Sequence, residues 1–213
     1  MIALLLSYAL TGVLACGFFV VASRKLSRAI RALALQAFLL AAVALLASAH
    51  SPHPQHLWVL AALTAVVKGL AVPIALHKAT DRLQISNQIE FVVGIPGSLL
   101  VAGLATLWAF GSAHRLFGHE ALASPGALAT GMATILLGLL VMLGRKKLIT
   151  QIAGLLIMEN GVILATLGLT GGMPLIVEIG VALDVLVAIQ ILAMFAYRIS
   201  GKLSGTTPVE PAP

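Results

Sequence analysis

The sequence predicts an all-α integral membrane bundle of about seven transmembrane helices, and three observations predict it. Only 9% of the 213 residues are charged and 60% are hydrophobic, where an ordinary soluble domain carries roughly 25% charged residues. The mean hydropathy is +1.08. Apolar stretches of the length that crosses a hydrocarbon core, about 20 residues for about 30 Å, recur until most of the chain is used. Finally, the basic residues fall almost entirely in alternate loops between those stretches. A backbone in lipid must satisfy its own hydrogen bonds, so apolar spans of this kind are helices.

Seven spans follow in order: residues 2–22, 29–49, 57–76, 91–110, 127–143, 148–169 and 174–197. The first begins at Met1 with no basic segment before it, and Arg24, Lys25 and Arg28 come after it. That order describes a retained helix with its N-terminus outside, not a cleaved signal peptide. The fourth span is crowded by Gly94, Pro96, Gly97 and Gly103 and is expected to be kinked or partly broken. Gly171-Gly172 reads as a tight turn between the last two helices. Residues 1–112 form a four-helix N-terminal part, 126–200 a three-helix part, and 203–213 a disordered tail with three prolines in its last eight residues.

Lysine and arginine placement sets the topology. Of the thirteen, eleven lie in the first, third and fifth loops and at the C-terminal end; the other two are Arg115, in a loop on the opposite side, and Lys68, inside a span. The bias puts the N-terminus outside and the C-terminus in the cytoplasm. It also accounts for the net charge of +6 without nucleic acid, for which an aromatic content of 5% offers no stacking platform. Cys16 is the single cysteine, so no disulfide, zinc or iron–sulfur ligand set can be built from cysteine. His50, His53 and His56 crowd one outer loop, but Pro52 and Pro54 prevent the helix that would align them as metal ligands. No metal site is expected.

The informative residues are charges inside apolar spans, because each costs roughly 2.5–3.5 kcal/mol at mid-bilayer. Lys68, Glu159 and Asp184 lie eleven or twelve residues into the third, sixth and seventh spans. At 1.5 Å per residue that is ~16–18 Å from the membrane edge, so three ionisable groups on three helices share one depth. Glu178 lies nearer the start of the seventh span. Asn160, Gln151 and Gln190 are candidate supporting polar groups. Desolvation disfavours charge, so an acid and a base buried together can trade a proton when a nearby charge moves. These residues are therefore candidates for a lateral proton path. The alternative is structural, with Lys68 and an acid pairing to hold helices together.

The stretch Leu155-Leu156-Ile157-Met158-Glu159-Asn160-Gly161, followed by Val177-Glu178-Ile179-Gly180-Val181-Ala182-Leu183-Asp184, resembles component E of hydrogenase-4, the HyfE family of group 4 membrane-bound [NiFe] hydrogenases. Its M-E-N-G and E-I-G-x-x-x-D patterns are intact, and Lys68-Gly69-Leu70-Ala71-Val72-Pro73 matches its K-x-x-x-V-P pattern. The last three spans are also similar to the small three-helix subunit of respiratory complex I, NuoK, and to its antiporter counterpart, MrpC. That family carries a buried glutamate in each of its last two helices. Asp184 stands at the second position. At the first, the family's G-L-E reads Gly154-Leu155-Leu156 here, and the acid follows one turn later at Glu159.

The resemblance implies a non-catalytic membrane-arm subunit of a proton-translocating redox complex, with Glu159, Asp184, Lys68 and Glu178 on the proton path. It implies a bacterial or archaeal cytoplasmic membrane. The partners would be antiporter-like membrane subunits, a subunit anchoring the peripheral arm, and [NiFe] hydrogenase subunits. The [NiFe] centre and iron–sulfur clusters would lie in those partners, with no cofactor in this chain. Three other readings compete: a subunit of a multisubunit cation/proton antiporter, a structural scaffold of the membrane arm, and a stand-alone transporter, for which the inverted repeats usual in that class are lacking.

Overall fold

The computed structural model describes residues 1–49, 51, 54–82, 89, 94–117 and 124–170. The described residues are almost entirely helical, and six helices among them are long and apolar enough to cross a membrane. They are α1 (Ile2–Ala22), α2 (Leu26–Ser48), a composite third span, α5 (Ile95–Phe117), α6 (Pro125–Leu143) and α7 (Leu148–Thr170). The third span runs as α3 (Pro54–Leu63), a π-helical segment (Thr64–Ala71) and α4 (Val72–Arg82). The expected seventh span, 174–197, and the expected tail lie outside the described residues.

Local chemistry sets the helix ends. Ser124 takes an extended conformation and accepts the Ala127 N–H at 3.4 Å, with Pro125 in the first turn, where its missing N–H costs nothing. The Ser124 N–H bonds the Gly168 carbonyl at 3.1 Å, tying the start of α6 to the end of α7. Inside the spans, Thr106, Thr134 and Thr166 return their hydroxyls to carbonyls one turn back, so these donors do not face hydrocarbon.

The basic loops gather at one end of the bundle. The Ile89 N–H bonds the Arg24 carbonyl at 2.9 Å, joining the first loop to the third. Arg145, between α6 and α7, reaches back to the last turn of α1, donating from Nη2 to the carbonyls of Val21 at 2.6 Å and Val20 at 3.4 Å. Val21 is in the last turn, where carbonyls lack an intrahelical partner, while the Val20 carbonyl also accepts the Ser23 N–H at 3.1 Å. Arg145 is buried, and desolvation lowers its pKa to about 10. It stays charged at any physiological pH and acts as a C-terminal cap.

Two spans differ from the sequence-based expectation. The fourth is unbroken from Ile95 to Phe117. Pro96 falls in its first turn, where proline is tolerated, and Gly103 sits in open space. The irregular span is instead the third. Pro73 brings no N–H and its ring would clash with the carbonyl four residues before it. The turns ahead of it open into the wider i→i+5 pattern, with the Val72 N–H bonded to the Val67 carbonyl. Lys68 lies in the middle of this π-helical segment.

The tightest packing is between α6 and α7. Gly131 and Gly138 on one helix, and Gly154, Gly161 and Gly168 on the other, recur at intervals of seven residues. A Cβ at Gly138 would stand 2.5 Å from the Met158 nitrogen, and one at Gly161 would stand 2.6 Å from the Ile135 nitrogen. Only hydrogen fits there. Small residues of this kind let membrane helices approach backbone to backbone, where dispersion replaces the hydrophobic effect as the driving force. The seam fixes the axial register of α7, and thereby of Glu159 and Asn160. α5, by contrast, turns Leu100, Leu104, Leu107 and Trp108 outward, as a lipid-facing helix does.

Candidate functional site

The two larger apolar clusters of the core lie one beyond the other along the bundle axis. One cluster, toward the basic-loop end, includes Val20, Leu33, Leu76, Leu156 and Ile157. The other, toward the opposite end, includes Val13, Leu40, Leu60, Ile163 and Leu164. Between them lies a polar layer. Gln36 falls between Leu33 and Leu40 on α2, Lys68 between Leu60 and Leu76 on the third span, and Glu159 and Asn160 between Ile157 and Ile163 on α7. Gln36 is the eleventh of 23 residues of its helix and Glu159 the twelfth of 23, so the layer sits at mid-span.

Lys68 Nζ lies 3.0 Å from Glu159 Oε1, with side chains 2% and 1% exposed. Lys68 also donates to Asn160 Oδ1 at 3.3 Å. Asn160 Nδ2 donates to Gln36 Oε1 at 3.1 Å, and Gln36 Nε2 donates to the Val13 carbonyl at 3.0 Å. The chain of contacts links α7, the π segment, α2 and α1, and all four side chains are buried.

The polarity of this chain is fixed by chemistry. A backbone carbonyl only accepts and an ammonium only donates. Val13 therefore takes the NH2 of Gln36, which turns the Gln36 oxygen to Asn160. That in turn leaves the Asn160 oxygen for Lys68. In a low-dielectric interior such a row of aligned dipoles strengthens each member, and here it presents its negative end to the ammonium. Two opposite charges and an oriented amide thus offset what either charge alone would cost at mid-bilayer.

The π segment brings the ammonium to this place. Gly69 packs against Phe38 of α2 so closely that a Cβ would meet the ring at 2.9 Å. The small cavity beside the pair, about 10 Å³, is lined by Lys68, Asn160, Pro73 and apolar side chains of α2, α4 and α7.

Of the residues singled out from sequence, Lys68, Glu159 and Asn160 are brought together. Gln151 is not part of the cluster: it is two turns nearer the basic-loop end and donates to the Arg145 carbonyl at 3.0 Å. Eight residues of helix, about 12 Å, separate it from Glu159. Glu178, Asp184 and Gln190 lie outside the described residues. Gln36 was missed, although a glutamine standing mid-way through the second apolar run was a readable signal.

The comparisons with known proteins are distant. The chain is 29% identical over 197 residues to an uncharacterised protein of Mycobacterium tuberculosis, covering 92% of this chain and 89% of that protein. It is 28% identical over 145 residues to hydrogenase-4 component E of Escherichia coli K12, covering 68% of this chain and 67% of that protein. The same figures hold for hydrogenase-4 component E of Shigella flexneri. No protein-family profile matches the chain, and no solved structure matches it.

Proposed function

We propose that this chain is a subunit of the membrane arm of a hydrogenase-4-like, proton-translocating complex in a bacterial or archaeal cytoplasmic membrane, and that Lys68 and Glu159 form a proton-exchanging pair within it. The observation that carries the reading is the ion pair itself, 3.0 Å long, almost fully buried and placed at mid-span. Functional pairs of this kind mark ion and proton pathways in membrane proteins. The likeness to hydrogenase-4 component E supplies the class of assembly. Nickel and iron chemistry belongs to partner subunits in this reading, and this chain contributes helices and buried charge.

In the proposed mechanism the ammonium and carboxylate hold one another in the charged state. A charge arriving on a neighbouring subunit favours one partner and weakens the other's hold. The pair then passes a proton to or from that neighbour and is restored when the charge leaves. Asn160, oriented by Gln36, keeps an acceptor on Lys68 when Glu159 is neutral, so the cation is never left bare.

A second reading is favoured by the same contacts. The chain from Val13 to Glu159 ties four helix segments together, which is what a packing device would also do. Affinity purification of the tagged chain in mild detergent, with mass spectrometry and metal analysis, tests the assembly. Recovery of antiporter-like membrane subunits with a nickel- and iron-containing arm is the expected result. Antiporter-like subunits free of both metals would move the chain to a cation/proton antiporter. A monodisperse lone chain that moves solute in liposomes would overturn the complex altogether.

A further inference from the structure

The polar layer has two unlike sides. Toward α1 it ends in two carboxamides and a backbone carbonyl, running Asn160, Gln36, Val13. Carboxamides are very weak acids and bases near neutral pH and do not relay protons as a carboxylate, an imidazole or water does. Their orientation is also locked at both ends, by the acceptor Val13 and the donor Lys68. That side is an insulator.

The other side is the small cavity against Lys68 and Asn160. Its remaining lining is Ile30 and Leu33 of α2, Val72, Pro73 and Leu76 of the third span, and Leu156 of α7. Every one of these lies on the basic-loop side of the polar layer. Ile30 and Leu33 precede Gln36, Val72 to Leu76 follow Lys68 on a helix running toward the basic loops, and Leu156 precedes Glu159. At about 10 Å³ the cavity has room for about one water molecule, and its lining includes an ammonium and an amide to bind it.

We infer that this cavity is a single-water port through which Lys68 exchanges protons with the basic-loop face of the membrane only, while the Gln36–Asn160 amide pair closes the route toward α1. Among the described residues, the groups facing Lys68 include Glu159 and Asn160 from α7, with Gln36 of α2 behind them, so a proton entering at the port meets the ion pair first. The inference rests on the reading of Lys68 and Glu159 as a proton-exchanging pair, and adds a direction to it.

The test uses the intact complex with Cys16 changed to alanine, which removes this chain's single cysteine, and thiols are counted on this chain after it is separated from its partners. Cysteines are then introduced one at a time as Leu33→Cys, Leu76→Cys and, on the insulated side, Val13→Cys. Silver ion, a thiol reagent of about the size of water, is applied to vesicles presenting the basic loops outward or inward. Recovery of the full set of partner subunits shows that each variant assembles. The expected result is loss of the free thiol at positions 33 and 76 from the basic-loop face alone, and no loss at position 13 from either face. Modification from the opposite face, at position 13, or at none of the three overturns the inference. Proton transport by Glu159→Gln is measured in parallel, so the two ideas fail separately. If that variant transports normally, the proton-exchanging reading falls whatever silver finds; if it does not and silver shows the wrong sidedness, only the port falls.

Discussion

Replacing Gly161 by alanine adds one methyl group at the seam that sets the position of the polar layer. A Cβ there would lie 2.6 Å from the Ile135 nitrogen, 2.8 Å from the Gly131 carbonyl oxygen and 2.9 Å from Ile135 Cγ1. Ordinary contact begins at 3.4 Å, so α6 and α7 must part locally by about 0.8 Å, and two of the three obstacles are backbone that cannot rotate aside. Overpacking of this kind costs about 1–3 kcal/mol. Asn160 is the preceding residue, and its bond from Lys68 is already 3.3 Å long, so a shift of that size is enough to break or crowd the contact. The control is Gly111→Ala on α5, where no atom lies within 4 Å of the added carbon; there the only change is the gain in helix propensity, about 0.5–1 kcal/mol. The assay is the fraction of detergent-purified complex that survives a graded heat step, read by size-exclusion chromatography. Gly161→Ala should lower the midpoint and Gly111→Ala should leave it unchanged or raise it. Equal midpoints for the two would refute the claim that the glycine seam sets the position of Glu159 and Asn160.

Other perturbations address the layer directly. Lys68→Met alone takes the ammonium from the buried Glu159 carboxylate and should destabilise by about 3–5 kcal/mol, Glu159→Gln should cost less because Lys68 keeps Asn160 as an acceptor, and the double variant should recover most of the Lys68→Met loss; additive losses in a double-mutant cycle would show that the two side chains do not interact. Gln36→Leu removes the acceptor for Asn160 Nδ2 and leaves a buried donor, at a cost of about 1–3 kcal/mol, read from the midpoint of the same heat step. Arg145→Ala takes two hydrogen bonds from the end of α1 and should speed proteolysis of the first loop. Arg145 itself should add no pH dependence between pH 6 and 9. Its folded pKa is depressed to about 10, below the ordinary arginine range, so the folded state releases that proton before the unfolded state does, and its effect is confined to a rise in stability above about pH 10.

The helices were legible because hydrocarbon imposes one length and one composition on every span. The first span was placed at Ile2–Ala22, as found. Lys68 and Glu159 were legible for the same reason, since a charge in an apolar run is costly enough to demand a partner. Their pairing was less so. Equal depth suggested it, but the contact depends on the α6–α7 glycine register and on the π segment, neither of which is read from depth alone. The π segment had a local signal, Pro73 five residues after Lys68 with Gly69 between them, that was read only as part of a motif. Gly94, Pro96, Gly97 and Gly103 do not break the fourth span because the helix begins at Ile95, which puts Pro96 and Gly97 in its first turn. Gln36 and Gln151 show the same error in opposite directions. Nearness in sequence points to Gln151 on the same helix, while the residue that orients Asn160 stands 124 positions away.

Proton transport per redox turnover by the assembled complex carrying Glu159→Gln tests the central claim most directly. The account predicts that the complex still forms and turns over its electrons, since no redox ligand is touched, and that the protons moved per turnover fall sharply. An assembled variant that moves as many protons per turnover as the native complex would contradict the account and leave the Lys68–Glu159 pair as a device for packing helices.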